Sequence, residues 1–159
     1  MFASATRRTH DGSVRIAVIA DTHNQLPPSL HTPLAAADEI WHLGDICNAA
    51  VLRELRSLGP PVHAIRGNRD PRGLVPESLT LTRAGHTFFL VHIPVKTVPP
   101  GARFALHGHT HVPRDETIDG IRHLNPGTVG KPNHGAPVSF AWLEIEKDRE
   151  PHWQIVPVP

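Results

Sequence analysis

The hydrophobic pattern opens on Val14-Arg15-Ile16-Ala17-Val18-Ile19-Ala20, almost continuously apolar and β-branched, as in a strand buried on both faces. Pro27 to Ala37 then starts on a proline and carries Leu30 and Leu34, a helix that Pro33 keeps short or kinked. Glu39 to Leu43 is a second strand. Ala49 to Leu58 sets Val51, Leu52, Leu55 and Leu58 on one helical face and stops at Gly59-Pro60. Val62 to Ile65 is a third strand. This βαβαβ succession predicts a parallel sheet.

The period then changes. Leu79 to Thr82 alternates, Ala84-Gly85-His86 is a tight turn, and Thr87 to His92 is apolar again, so the pair predicts a hairpin. Ile93 to Gly101 holds three prolines and no helical period, which makes it a loop. Phe104-Ala105-Leu106 reads as a short buried strand. Glu116 to Ile118 and Ile121 to Leu124 meet at an Asp119-Gly120 turn, and Asn125-Pro126-Gly127-Thr128 is a further turn signature. Ser139 to Ile145 and His152 to Val156 alternate as a last hairpin. No repeat or linker interrupts residues 14–159, which are expected to form a single domain after a mobile polar tail, residues 1–13. That tail has no apolar centre of the kind a secretory signal needs.

Composition narrows the function classes. A length of 159 residues suits one domain with a proper core. The net charge is +1, without a basic block, and aromatics make up 5% with no tyrosine. There is thus no strong nucleic-acid signal, either from bulk charge or from stacking platforms. No apolar run approaches the ~20 residues of a membrane helix. Cys47 is the only cysteine, so no internal disulfide forms, and a reducing, cytoplasmic location is expected. The departure from ordinary composition is histidine, with 13.

Several of these histidines fall at strand ends, beside carboxylates. Asp21-Thr22-His23 follows the first strand, Gly44-Asp45 the second, and Gly67-Asn68-Arg69-Asp70 the third. His92 ends the fifth, and Gly108-His109-Thr110-His111 follows the sixth, with Gly108 expected at positive φ. Alone, Asp21-Thr22-His23 would read as a loop-capping turn, and His109 with His111 as a pair of ordinary histidines. Together, Asp21, His23, Asp45, Asn68, His92, His109 and His111 suit two divalent ions. Asp45 is the natural carboxylate to touch both, and the other six divide three to each. Mixed nitrogen and oxygen donors favour Mn²⁺, with Fe, Zn²⁺, Ni²⁺ or Co²⁺ as alternatives, over Mg²⁺. His42 and His107 are expected to be structural or to brace the ligands. His10, His31, His63, His86, His123, His134 and His152 have no motif context, and Cys47 reads as a core or loop residue.

The set D-x-H, G-D, G-N, H and G-H-x-H, in this order, resembles the calcineurin-like metallophosphoesterase superfamily. The turn at Asn125-Pro126-Gly127-Thr128 is similar to that of its compact bacterial and archaeal phosphodiesterases. The resemblance implies an α/β fold, a four-layer α/β/β/α sandwich of two mixed sheets. It implies that Asp21, His23, Asp45 and His111 bind one ion and Asp45, Asn68, His92 and His109 the other. The implied activity is hydrolysis of phosphate esters, diesters more than monoesters, by a water activated between the ions. Asn68, Arg69 and Asp70 are the candidate catalytic residues. Arg69 stands where most relatives carry histidine. It cannot protonate a leaving group, but its guanidinium fits phosphate oxygens; otherwise it would only pair with Asp70. The loop from Ile93 to Arg103 is short for the family, which implies an open site. A phosphate ester is the expected partner, and free sheet edges leave room for a homodimer. The alternative is a protein-interaction scaffold like the retromer subunit of this fold, whose site is degraded; here every ligand position is filled. A single-zinc hydrolase built on His109 and His111 ranks last, because it leaves Asp45, Asn68 and His92 without roles.

Overall fold

The computed structural model describes residues 12–132 and 135–159. In chain order it has β1 (Val14–Ile19), a 3-10 turn (Pro28–Leu30) running into α1 (His31–Ala35), β2 (Glu39–His42), α2 (Ala49–Ser57) and β3 (Val62–Ala64). Then follow β4 (Ser78–Arg83), β5 (His86–Val91), β6 (Phe104–Leu106), β7 (Arg114–Ile118), β8 (Ile121–Asn125), β9 (Ser139–Ile145) and β10 (His152–Pro157). The expected tail falls mostly on residues 1–11, and His10 and His134 also lie outside the described residues.

Among the described residues the strands form two five-stranded sheets, β10-β9-β1-β2-β3 and β4-β5-β6-β8-β7. In the first, β1, β2 and β3 run parallel, as the βαβαβ pattern predicted, and β9 joins β1 antiparallel. In the second, β5, β6 and β8 are parallel, with β4 and β7 antiparallel at the edges. The β4–β5 and β7–β8 turns place Ala84-Gly85 and Asp119-Gly120 at positive φ, the geometry whose twist matches a two-residue hairpin.

Alternation along each strand decides which layer a side chain enters. Ile16 and Val18 point between the sheets, where they meet Trp41, Phe88, Leu90, Phe104, Leu106 and Leu124. Phe88 stacks on Phe104 at 4.8 Å between ring centroids, and Trp41 meets Phe88 edge-on. Ala17 and Ile19 point outward to Leu30 and Leu34 and to the α2 face of Val51, Leu52 and Leu55. Asn48 caps α2 by accepting the Ala50 N–H. Over the far face of the second sheet lies the β5–β6 loop. It has no helix, and its Pro94, Val95 and Lys96 line a cavity with Arg114, Ile118 and His123. The expected α/β architecture of two mixed sheets is therefore present, its outermost layer reduced to that loop.

Glu39 ties the two sheets together from one end. Its carboxylate takes both Arg83 donors from β4, at 2.6 and 3.0 Å, and the Trp41 Nε1–H at 2.9 Å. Burial acts to raise its pKa, but these donors outweigh it and hold the carboxyl below the usual range. Its contribution is therefore present above the unfolded pKa and is lost as pH falls. Glu39→Gln is expected to cost about 1–3 kcal/mol at neutral pH, read as a lowered Tm, and the cost should shrink on acidification.

Candidate metal centre

The parallel strands of each sheet end at one edge, where open α/β sheets place ligands. Past the ends of β1 and β2 the two chains stay paired. The Asp21 N–H donates to Gly44 O, His23 N–H to Asp45 O and Asn24 N–H to Ile46 O, each at 3.0 Å. Along this extension Asp21 (φ 58°), His23 (φ 45°), Asp45 (φ 56°) and Cys47 (φ 67°) turn left-handed, as do Asn24 and Gly44. His109 (φ 67°) and His111 (φ 61°) do the same after β6. In the Asp21/His23 and His109/His111 pairs, both side chains reach the same cluster of donors. Each such non-glycine residue costs on the order of 1–3 kcal/mol, a strain that clusters at functional sites.

Gly108 differs from expectation: positive φ falls on the histidines after it. Glycine there keeps the packing loose enough, since a Cβ would crowd Asp21 Oδ2 at 3.0 Å and Leu43 O at 3.2 Å. The same holds at Gly67, where a Cβ would come within 2.2 Å of the Asp45 backbone nitrogen.

The seven sequence-predicted ligands meet. Asp21 Oδ1 lies 3.4 Å from His111 Nε2 and 3.8 Å from His23 Nε2, and the two imidazole nitrogens are 3.3 Å apart. Asp45 Oδ2 is 3.8 Å from His23 Nε2, while its Oδ1 is 3.4 Å from His92 Nε2. Asn68 Oδ1 is 3.0 Å from both His92 Nε2 and His109 Nδ1. Asp21, His23 and His111 form one cluster within ligand reach of a single ion; Asp21, Asp45 and His92 form a second. Asp21, Asp45 and His92 are buried, His23 and His111 half-buried, and Asn68, Arg69 and His109 exposed, so the site is an open bowl.

The protons show why a cation fits. His92 Nδ1 is 2.7 Å from the Leu43 carbonyl, which only accepts, so Nδ1 carries the proton. In the neutral ring that an ion would need, Nε2 presents its lone pair to Asn68 Oδ1 and Asp45 Oδ1, also acceptors; without an ion, a second proton on Nε2 answers Asp45. His111 repeats this: Nδ1 donates to Lys131 O at 3.3 Å, and Nε2 faces Asp21 Oδ1 and His23. Asp21 Oδ1 is fully buried and has no hydrogen-bond partner. Acceptors converging on one another repel unless a positive charge stands between them, so the donor set fits divalent ions.

The carboxylates feel the same crowding. Burial, aided by Asp45, raises Asp21 to about 7, although His92 pulls it down. Burial would raise Asp45 too, but bonds to His92 and from the Arg69 N–H hold it below the usual range. Burial lowers His92, yet Asp45 and the Leu43 carbonyl outweigh it and leave the ring raised. Burial pushes the Cys47 thiol up to about 11, helped by Asp70 and Asp45.

A second ring of residues holds the ligands. Burial keeps His42 neutral, at about 3. Its Nδ1 accepts the Gly44 N–H and its Nε2 meets Thr22 Oγ1 at 3.0 Å, which braces the turn between Asp21 and His23. Burial likewise holds His107 down, at about 4, between Gly108 O and Arg114. Asn125, read from sequence only as part of a turn, donates to Gly108 O and Thr110 Oγ1, both at 3.0 Å. Thr128 Oγ1 donates to Asp21 O at 3.1 Å. The N-P-G-T turn therefore locks both the Asp21 and the His109–His111 corners; only its family-like form hinted at that.

Asp70 calls for a correction. It is buried, and its two oxygens accept the Cys47 N–H at 2.6 Å and the Gly67 N–H at 2.7 Å. It pairs neither with Arg69 nor with anything that could react; it clamps the Asp45 and Asn68 loops to each other. Arg69 is exposed and has no ion pair among the described residues. Two cavities flank the cluster: one of about 380 Å³ beside His23, reaching Gln25 and Lys131, and one of about 250 Å³ beside Asn68 and His92, reaching Arg66 and Ile93.

With this geometry in place, comparison with known proteins assigns the class. The chain belongs to the calcineurin-like phosphoesterase superfamily, whose domain model matches residues 14–148. A "probable metallophosphoesterase" of Methanocaldococcus jannaschii is 30% identical over 139 residues, 76% of this chain and 71% of that protein. The phosphodiesterase YfcE of Escherichia coli K12 is 26% identical over 165 residues, covering 82% and 88%. Its solved structure has a TM-score of 0.70 at 22% identity, over 91% of this chain and all of that one. Vacuolar protein sorting 29 of Cryptosporidium parvum shares the fold, with a TM-score of 0.72 at 19% identity over 92% and 98%. No helix among the described residues is long and apolar enough to cross a membrane.

Proposed function

We propose that the chain is a dinuclear metal-dependent phosphoesterase acting mainly on phosphate diesters. The observation that carries this reading is the convergence of bare acceptors, above all the buried and unpartnered Asp21 Oδ1 facing imidazole lone pairs. Asp21, His23, Asp45 and His111 would hold one ion, and Asp45, Asn68, His92 and His109 the other, most suitably Mn²⁺. In support, Asp45 turns Oδ2 to His23 and Oδ1 to His92, one oxygen to each group. When bound, the ions supply a water acidified toward neutrality and positive charge for the phosphoryl oxygens.

The protein's own groups do the rest. The Asn68 side chain and the exposed Arg69 guanidinium would take up charge on the phosphoryl oxygens. The flanking cavities offer room for a substituent on each side of phosphorus, which favours a diester over a monoester. Arg69 cannot supply a proton, so the leaving group departs with its charge or takes a proton from water. Turnover should then depend steeply on leaving-group acidity. Aryl diesters are expected to react well and alkyl diesters poorly in parallel steady-state assays; equal rates on both would remove Arg69 from this account. The single cysteine fits work in a reducing cytoplasm.

The decisive experiment joins elemental analysis to hydrolysis of bis-p-nitrophenyl phosphate and p-nitrophenyl phosphate with added Mn²⁺. About two ions per chain with diester turnover is the expected result. Two ions without turnover on either ester would favour a non-catalytic scaffold. No bound ion and no Mn²⁺ response would overturn the site.

A further inference from the structure

We propose that Cys47 is a positioning residue for the first ion group: its sulfur accepts the His23 Nδ1–H and keeps the ring's Nε2 turned toward Asp21, Asp45 and His111. This rests on the two-ion reading above. An imidazole that ligates through Nε2 must carry its proton on Nδ1, and that proton needs an acceptor. His92 has the Leu43 carbonyl at 2.7 Å and His111 the Lys131 carbonyl at 3.3 Å. His23 has neither. At its Nδ1 stands Cys47 Sγ, 3.7 Å away and within hydrogen-bond reach for sulfur.

The placement of that sulfur is built. Cys47 sits at φ 67°, two residues beyond Asp45, and its N–H is fixed on Asp70 Oδ1 at 2.6 Å. The same Asp70 carboxylate fixes Gly67 on the other side. Cys47 is absent from both ligand clusters, so its sulfur touches the back of the His23 ring rather than the ion position. A thiol is a weaker acceptor than the carbonyls behind His92 and His111. His23 is thus the least firmly held of the three rings, and the affinity of its ion group alone should follow the group at position 47.

The test is calorimetric titration of Mn²⁺ into the metal-free full chain, comparing the parent with Cys47→Ala, Cys47→Ser and His23→Ala. Cys47→Ala should weaken one of the two ions about tenfold or more and leave the other unchanged, and Cys47→Ser should restore most of the loss. Parental affinity for both ions in Cys47→Ala would overturn the proposal. So would an intense near-ultraviolet sulfur-to-metal band in the Co²⁺-loaded parent that is lost in Cys47→Ala, because Cys47 would then be a ligand. If Cys47→Ala does not fold, the imidazole NMR signal of His23 Nδ1–H in the Zn²⁺-loaded protein decides. It should shift in Cys47→Ser, and an unmoved signal overturns the role. Unchanged binding in His23→Ala would instead sink the two-ion reading itself.

Discussion

Asp21→Asn is expected to abolish ion binding and yet stabilise the metal-free protein at pH 8. Asp21 is fully buried, its Oδ1 has no hydrogen-bond partner, and burial raises its carboxyl from 3.8 to about 7. A carboxyl raised in the folded state binds its proton more tightly there than in the unfolded chain. Its contribution to stability is therefore full below about pH 4 and is lost as pH rises through about 7. Asparagine is isosteric and cannot ionise. One of its side-chain ends can keep accepting the His109 N–H, and the other can donate to the His111 Nε2 lone pair 3.4 Å away. The metal-free variant should exceed the metal-free parent by on the order of 3 kcal/mol at pH 8, and by little at pH 4. His42 and His107 titrate in both proteins and cancel in the difference. The measurement is Tm by calorimetry at both pH values, with and without a chelator. Chelation should lower the parent's Tm, since ions bind only the folded state, and leave the variant's unmoved. A variant less stable than the metal-free parent at pH 8 would mean that no unpaired charge is buried at Asp21.

The second large effect is expected at Asp45. Asp45→Ala should take the ion content from two to none and lower diester turnover by at least about a thousandfold. The reason is geometric: Oδ1 faces His92 and Oδ2 faces His23, one oxygen to each group, whereas Asp21, which belongs to both clusters, reaches them through Oδ1 alone. Oδ1 also accepts the Arg69 N–H at 2.9 Å, so alanine additionally frees the Asn68-Arg69 loop. Asp45→Asn separates these effects by keeping an acceptor for Arg69 while removing the negative charge. Elemental analysis of both variants is the check. Retention of one ion by Asp45→Ala would confine Asp45 to a single group and end the bridging assignment.

Both variants probe residues that the sequence alone marks. The strands and α2 were legible because one period dominates each segment, and the turns at Ala84-Gly85 and Asp119-Gly120 because few residues tolerate positive φ. The seven donor residues that meet were legible because strand ends in open α/β sheets are where chemistry collects, and donor residues recurred at five of them. What failed was the reading of individual contacts. Asp70 lies beside Asn68 and Arg69 in sequence, yet its carboxylate turns inward to two backbone N–H groups. Gly108 was assigned a backbone angle when its role is to leave space for Asp21.

By itself, then, the sequence determined the elements, the parallel start of the first sheet and the donor set. These follow from local periodicity, from turn chemistry and from which side chains can hold an ion. The tertiary structure alone decided that β9 joins β1, and that the strands divide into two sheets whose ends meet. It alone turned Asn125, Thr128, Asp70 and Cys47 into the frame of the site. Those contacts join residues far apart in the chain, Thr128 to Asp21 and Cys47 to Asp70, and no local pattern records a distance across space. Only packing two sheets over one core sets that distance, and with it the lone-pair crowding that a cation would relieve.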